Sequence, residues 1–108
     1  MSDKNEFSEK VLEIVKQIPI GKVCTYGIIA QYAGARKSAR TVGYILNSCK
    51  GNNTYPYHRV INRLGELTGK HHFPSPTAMK EMLVSEGIQF IGDAVDLKRH
   101  LWHPEDIL

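Results

Sequence analysis

Acidic residues are absent from a long stretch of this chain: between Ile14 and Gly65 there is no Asp or Glu. Cysteine is scarce as well. Cys24 and Cys49 form neither a CxxC pair nor a disulfide-dense framework, so reduced thiols in a cytosolic protein are expected. No apolar run approaches the roughly 20 residues that a membrane-spanning helix needs. The acidic, polar N-terminus lacks the basic-then-apolar order of a signal peptide, so an intracellular protein with no membrane association is expected. There is no internal repeat, low-complexity tract or linker, and 108 residues suffice for one modest core. A single domain spanning 1–108 follows.

What fills the acid-free stretch is positive charge. Lys16, Lys22, Arg36, Lys37, Arg40, Lys50, Arg59 and Arg63 give it +8, although the whole chain carries only +3. A solvated basic face is the plain reading of such a block. A carboxylate-free run of this length also suits a polyanion, and nucleic acid is the natural candidate.

The local pattern supplies a framework for that charge. Phe7, Val11, Ile14, Val15 and Ile18 recur at helical spacing, and Pro19 ends the element. Thr25 is placed to cap a short helix from Tyr26 to Ala33, and Gly34 to stop it. Ser38 is placed to cap a second helix running to Asn47. Two short helices joined by a glycine-bearing turn inside a cationic block read as a helix-turn-helix. On the second helix Ala39, Val42, Ile45 and Leu46 share a face expected to be buried, while Arg36, Lys37 and Arg40 cluster at its N-terminal end. Helical hairpins that merely pack are also common in small domains. Beyond a polar Asn- and Gly-rich loop, "YHRVIN" has the composition of a short strand, with Glu66-Leu67-Thr68 as its expected hairpin partner across Leu64-Gly65. Ser75, Pro76 and Thr77 open a further helix that Gly87 closes. Ile88 to Ile91 suggests a short extended piece, and a last helical turn or two docks Leu97, Leu101 and Trp102. The expected fold class is α+β, mainly α: a small winged-helix-like domain with a helix-turn-helix and a short β-hairpin.

Four ordered motifs, "IPIGKVCTYGIIAQYAG", "SARTVGYIL", "PYHRVINRLGELTG" and "LVSEGIQF", resemble the DNA-binding C-terminal domain of the O6-alkylguanine-DNA alkyltransferases, and the resemblance runs from Phe7 through Phe90. In those enzymes the Pro-X-His-Arg-Val frame holds at X a cysteine that takes the alkyl group. Here X is Tyr57, and a phenol is a poor nucleophile at neutral pH. That replacement, with the tail "VDLKRHLWHP", makes the chain resemble the alkyltransferase-like family, which binds O6-alkylguanine in DNA without repairing it.

The resemblance implies roles residue by residue. Tyr26 would press on the DNA backbone and help rotate the nucleotide out. Arg40 would enter the base stack in its place, where a planar guanidinium stacks and hydrogen-bonds. Arg36, Lys37, Ser38, Ala39, Thr41 and Gly43 would complete the DNA-binding surface. Tyr44 is bulkier than a helix in a narrow minor groove invites. Tyr57, His58, Arg59, Val60, Asn62, Gly69 and Lys70 would form the lesion pocket. His58 and Glu86 would be remnants of the catalytic hydrogen-bonded set, retained as a structural pair. Arg59 and Asn62 would bridge backbone groups.

No cofactor is implied. His71 with His72, and His100 with His103, lack the company a zinc site needs, so no metal is expected. The implied partners are double-stranded DNA containing O6-alkylguanine and nucleotide excision repair proteins, engaged by a monomer. The implied location is cytoplasmic, nucleoid-associated in a bacterium and nuclear in a eukaryote. Two other functions remain open at this point. One is suicide alkyl transfer to Cys49, eight residues before Tyr57, which would require a thiol pKa depressed by the basic surroundings. The other is a helix-turn-helix transcription regulator, which would need a dimerisation surface and specific base readout.

Overall fold

The computed structural model describes residues 3–48 and 55–107, and the element order is α1 (Asp3–Gln17), β1 (Cys24–Thr25), α2 (Tyr26–Tyr32), α3 (Ala39–Ser48), β2 (Val60–Ile61), α4 (Ala78–Ser85), β3 (Phe90–Ile91), β4 (Ala94–Val95) and α5 (Leu97–His100). The mainly helical α+β class holds. α1 buries Val11, Val15 and Ile18, one face at helical spacing, and stops before Pro19. Thr25 caps α2 by accepting a hydrogen bond from the Ile28 amide at 3.1 Å. The helix ends in a turn where the Ala35 amide reaches back to the Ala30 carbonyl at 2.9 Å, a Schellman-type closure around Gly34. α3 then starts at Ala39, directly after Ser38. Val42 and Leu46 are its buried residues, whereas Ala39 and Ile45 are only half-buried.

A two-residue parallel pairing ties the halves of the chain together. β1 and β2 align Cys24 with Val60 and Thr25 with Ile61. Successive strand side chains point to opposite faces, and here each face has its own core. Cys24 and Val60 join α1, α2, α3 and Trp102 on one side. Val23 and Ile61 join Met79, Leu83, Ile88 and Val95 on the other.

Three expectations for the second half are corrected. Tyr57–Arg59 is a 3-10 turn, not the start of a strand. Glu66-Leu67-Thr68 does not form a hairpin strand: the Asn62 amide donates to the Glu66 carbonyl at 3.2 Å, the Asn62 Oδ1 accepts from Leu64 at 2.9 Å and Glu66 at 2.8 Å, closing a tight loop, and Thr68–His72 continues as 3-10 helix. The hairpin lies later, β3 against β4, around Gly92-Asp93. The third correction is smaller. α4 begins at Ala78 with Thr77 as its cap residue, so Ser75 and Pro76 precede the helix, and Thr77 Oγ1 donates to the Glu81 carboxylate at 2.7 Å.

Gly65 locks the Asn62 loop against β4. Its φ is +84°, its carbonyl accepts from the Val95 amide at 2.9 Å, and a Cβ here would sit 2.7 Å from the Val95 carbonyl oxygen. Gly65→Ala is therefore expected to lower stability by about 1–2 kcal/mol from left-handed backbone strain alone, with a further cost for displacing β4. Urea unfolding of the pair of proteins measures it. An unchanged midpoint would contradict this reading of the contact.

Candidate nucleic-acid interface

α2, α3 and the segment 57–73 line an open cavity of about 920 Å³. The helix period explains how α3 serves it. Ala39, Arg40, Gly43, Tyr44 and Asn47 line the cavity at spacings of three and four, while Val42 on the far side is fully buried. α2 contributes Tyr26 and Gly27 from its first turn, which the Thr25 cap holds in place. The Asn62 loop presents Asn62, Arg63 and Leu64, and the 3-10 segment presents Thr68 and Gly69.

The walls are aromatic and close-fitting. Tyr57 packs against Phe73 with ring centroids 5.6 Å apart and planes tilted by 43°. Burial pushes the Tyr26 phenol above its ordinary pKa, and a hydrogen bond with Thr68 pulls partly the other way, so the hydroxyl stays protonated. A Cβ on Gly69 would stand 3.2 Å from that hydroxyl, so the absence of a side chain there lets the segment close onto α2. Among the described lining residues none is acidic, and Arg40 and Arg63 are exposed cations.

Behind the cavity lies a separate charged cluster. The Glu86 carboxylate accepts from Arg59 Nε and Nη2, both at 2.8 Å, and from His58 Nε2 at 2.9 Å. Arg59 Nη1 also donates to the Ile18 carbonyl at 2.8 Å, satisfying one of the acceptors left over at the end of α1. The guanidinium of Arg59 is the main reason that the Glu86 carboxyl is held below its usual range, with His58 adding to it and burial opposing.

The structure brings together only part of the residues singled out from sequence. Tyr26, Ala39, Arg40, Gly43, Tyr57, Asn62 and Gly69 line the one cavity. Val60 does not, being fully buried in the core, and His58 and Arg59 are turned away into the Glu86 cluster. Lys70 is exposed and outside the lining, where Gly69 and Phe73 take the positions facing the cavity. Arg36 and Lys37 are exposed in the turn before α3, and Ser38 and Thr41 are half-buried. None of these four lines the cavity.

Tyr44, Arg63, Leu64 and Phe73 also line the cavity, beyond the site residues that the sequence indicates. An Asn three residues before a Gly signals the turn that presents Arg63 and Leu64, but nothing local announces Phe73. Of the cysteines, Cys24 is fully buried, and burial pushes its thiol up to about 12, which leaves no thiolate at neutral pH. Cys49 lies outside the described residues. His100 is committed to backbone: its Nε2 accepts from the Gln89 amide at 2.9 Å, which places the ring proton on Nδ1, 3.0 Å from the Gly21 carbonyl.

The family described as 6-O-methylguanine DNA methyltransferase, DNA binding domain, matches residues 6–88, most of the chain and every described residue that lines the cavity. The chain belongs to that family. Within it, the chain is 38% identical over 106 residues to the DNA base-flipping protein of Escherichia coli, covering 95% of this chain and 79% of that one. It is 34% identical over 105 residues to alkyltransferase-like protein 1 of Schizosaccharomyces pombe, covering 93% and 97% of the two chains. The fold superimposes with a TM-score of 0.78, at 34% identity and over 93% of this chain and 97% of the other, on the crystal structure of S. pombe Atl1 in complex with damaged DNA containing O6-carboxymethylguanine. Residues 56 to 60 of this family member read Pro-Tyr-His-Arg-Val, with the phenol of Tyr57 in second place.

Proposed function

We propose that this family member is a non-enzymatic sensor of O6-alkylguanine in duplex DNA. It holds the lesion turned out into the cavity, leaves the alkyl group in place, and flags the site for nucleotide excision repair. The observation that carries the reading is the composition of one cavity: a cation on the helix that would meet DNA and, among the described lining residues, the Tyr57 ring with neither an acid nor a thiol. The buried, protonated Cys24 supplies no substitute nucleophile. Similarity to proteins named for base flipping and for likeness to alkyltransferases supports the same conclusion. In this reading Tyr26 and Arg40 turn the nucleotide out and replace it. Arg36, Lys37 and Arg63 meet phosphates, and Tyr57 with Phe73 gives the extruded base an aromatic wall. Unpairing costs a few kcal/mol and costs least for a base that already pairs badly, which contributes to selectivity.

Incubation with a duplex carrying radiolabelled O6-methylguanine tests the proposal. Tight binding to the lesion duplex with no label on the protein is the expected result, and stoichiometric labelling would overturn it. Binding should also weaken steeply with salt, with a log–log slope of about −0.9 per phosphate contacted. Salt-independent affinity would count against DNA as the ligand.

A further inference from the structure

Tyr44 is a large aromatic side chain that the core does not use. It is 67% exposed, on a helix whose packing is carried by Val42 and Leu46. Buried aromatic rings are among the largest contributors to packing, so a ring left in solvent on an otherwise well-packed helix has no structural return. Its position is nevertheless specific. It follows Arg40 by four residues, one helical turn further on the same face, and lines the same cavity. Leu64, 56% exposed on the Asn62 loop, lines the same cavity.

The neighbours of Tyr44 make its bulk consequential. Ala39 and Gly43 leave that face of α3 with little side chain, so the helix backbone can come close to a surface. Tyr44 stands beyond them. A duplex docking on this face meets the Tyr44 ring before it meets the backbone, and close approach at Arg40 requires the ring to find a place within the DNA. Two kinds of surface offer a ring such a place: the edge of a deoxyribose and the face of a base whose neighbour has left the stack.

We propose that Tyr44 is a specificity-determining contact in which its ring packs on the sugar and exposed base face of a nucleotide beside the extruded one, widening the gap that Arg40 fills. This deepens the sensor reading and rests on it. The contact is apolar, so it makes a distinctive prediction. Removing it weakens binding without changing how many counterions are released, whereas removing a phosphate-binding cation lowers the salt slope by about one.

The test uses the full chain with Tyr44→Ala, Tyr44→Phe and, as a cation control, Arg63→Ala. Each protein is titrated against one duplex with a single O6-methylguanine and its undamaged counterpart, with 2-aminopurine placed next to the lesion to report unstacking. Tyr44→Ala is expected to bind the lesion duplex roughly tenfold more weakly, the scale of losing one base–aromatic contact, with the salt slope unchanged and the 2-aminopurine signal reduced. Tyr44→Phe is expected to match wild type. Thermal unfolding of all variants should match wild type, because the ring is outside the core.

Full affinity and full 2-aminopurine signal in Tyr44→Ala would overturn the assignment. So would equal losses in Tyr44→Ala and Tyr44→Phe, which would mean that the hydroxyl and not the ring makes the contact. If wild-type protein failed to prefer the lesion duplex, the sensor reading itself would fall, and this inference with it.

Discussion

Arg40→Ala is expected to lose most of the preference for an O6-methylguanine duplex over its undamaged counterpart while the domain stays folded. Arg40 is exposed at the first turn of α3 and lines the cavity, so no core contact depends on it. Its proposed work is done only when a base has left the duplex: the guanidinium plane fills the vacancy and hydrogen-bonds the orphaned partner. A hydrogen bond from a charged group contributes about 1.5–3 kcal/mol, which corresponds to roughly 10- to 150-fold in affinity. That gain appears with the damaged duplex, where extrusion is cheapest, and much less with the intact one. Arg40→Lys separates charge from shape, because an ammonium keeps the attraction to phosphate and loses the stacking plane. Competition binding with both duplexes at fixed salt measures the ratio. An Arg40→Ala protein that still favoured the lesion as strongly as wild type would refute the role given to this residue.

The largest effect on stability is expected at Glu86. Its side chain is 16% exposed and faces His58 and Arg59, 9% and 12% exposed. Removing one member of such a partly buried set leaves the others without their partner, and Glu86→Ala should therefore cost about 1.5–3 kcal/mol. For a domain of ordinary stability that is a large share of the total. Glu86 also sets the acid limb. Its carboxyl titrates below its ordinary range in the folded protein, so the unfolded chain binds its proton first as pH falls. The stabilisation is complete above the ordinary glutamate pKa of about 4.3 and is lost as pH drops through the lowered native value. Wild-type stability should thus fall on acidification below about pH 4, and Glu86→Gln should flatten that fall while starting from a lower plateau. Chemical denaturation at a series of pH values checks both statements. Identical acid limbs in wild type and Glu86→Gln would show that the pairing contributes nothing there.

The sequence was most legible where structure is decided locally. The stripe from Phe7 to Ile18, the Thr25 cap and the start of α3 after Ser38 each depend on residues within a few positions, and each appears as expected. Legibility failed where a distant partner outbid local preference. Tyr57 to Arg59 has the composition of a strand, yet His58 and Arg59 are held by Glu86, 28 and 27 residues away, in a 3-10 turn. Val60-Ile61 finds its strand partner at Cys24-Thr25, while the following loop closes on Asn62 through the Leu64 and Glu66 amides. The true hairpin carried a readable mark, the Gly92-Asp93 pair between apolar residues. The candidate site divides the same way. Residues on α2 and α3 could be placed from helical period, whereas Phe73, Leu64 and the exclusion of Lys70 follow from how the 62–73 segment folds back.

The Gly21–Val23 edge has a consequence for the birth of the molecule. The Val23 amide donates to the His100 carbonyl at 2.9 Å, the Val23 carbonyl accepts from Trp102 at 2.8 Å, and the Gly21 carbonyl faces His100 Nδ1 across 79 residues of sequence. At a translation rate of about 5–20 residues per second, those partners follow Gly21 off the ribosome on the order of 4–16 s later. Helical hairpin packing between α1, α2 and α3 can begin in that interval, but the backbone of the strand beside it waits, open to water and to other chains. Closure of this edge is thus a long-range event in which residues 100–102 complete an edge laid down some 79 positions earlier, and that edge stays open to mispairing until they arrive.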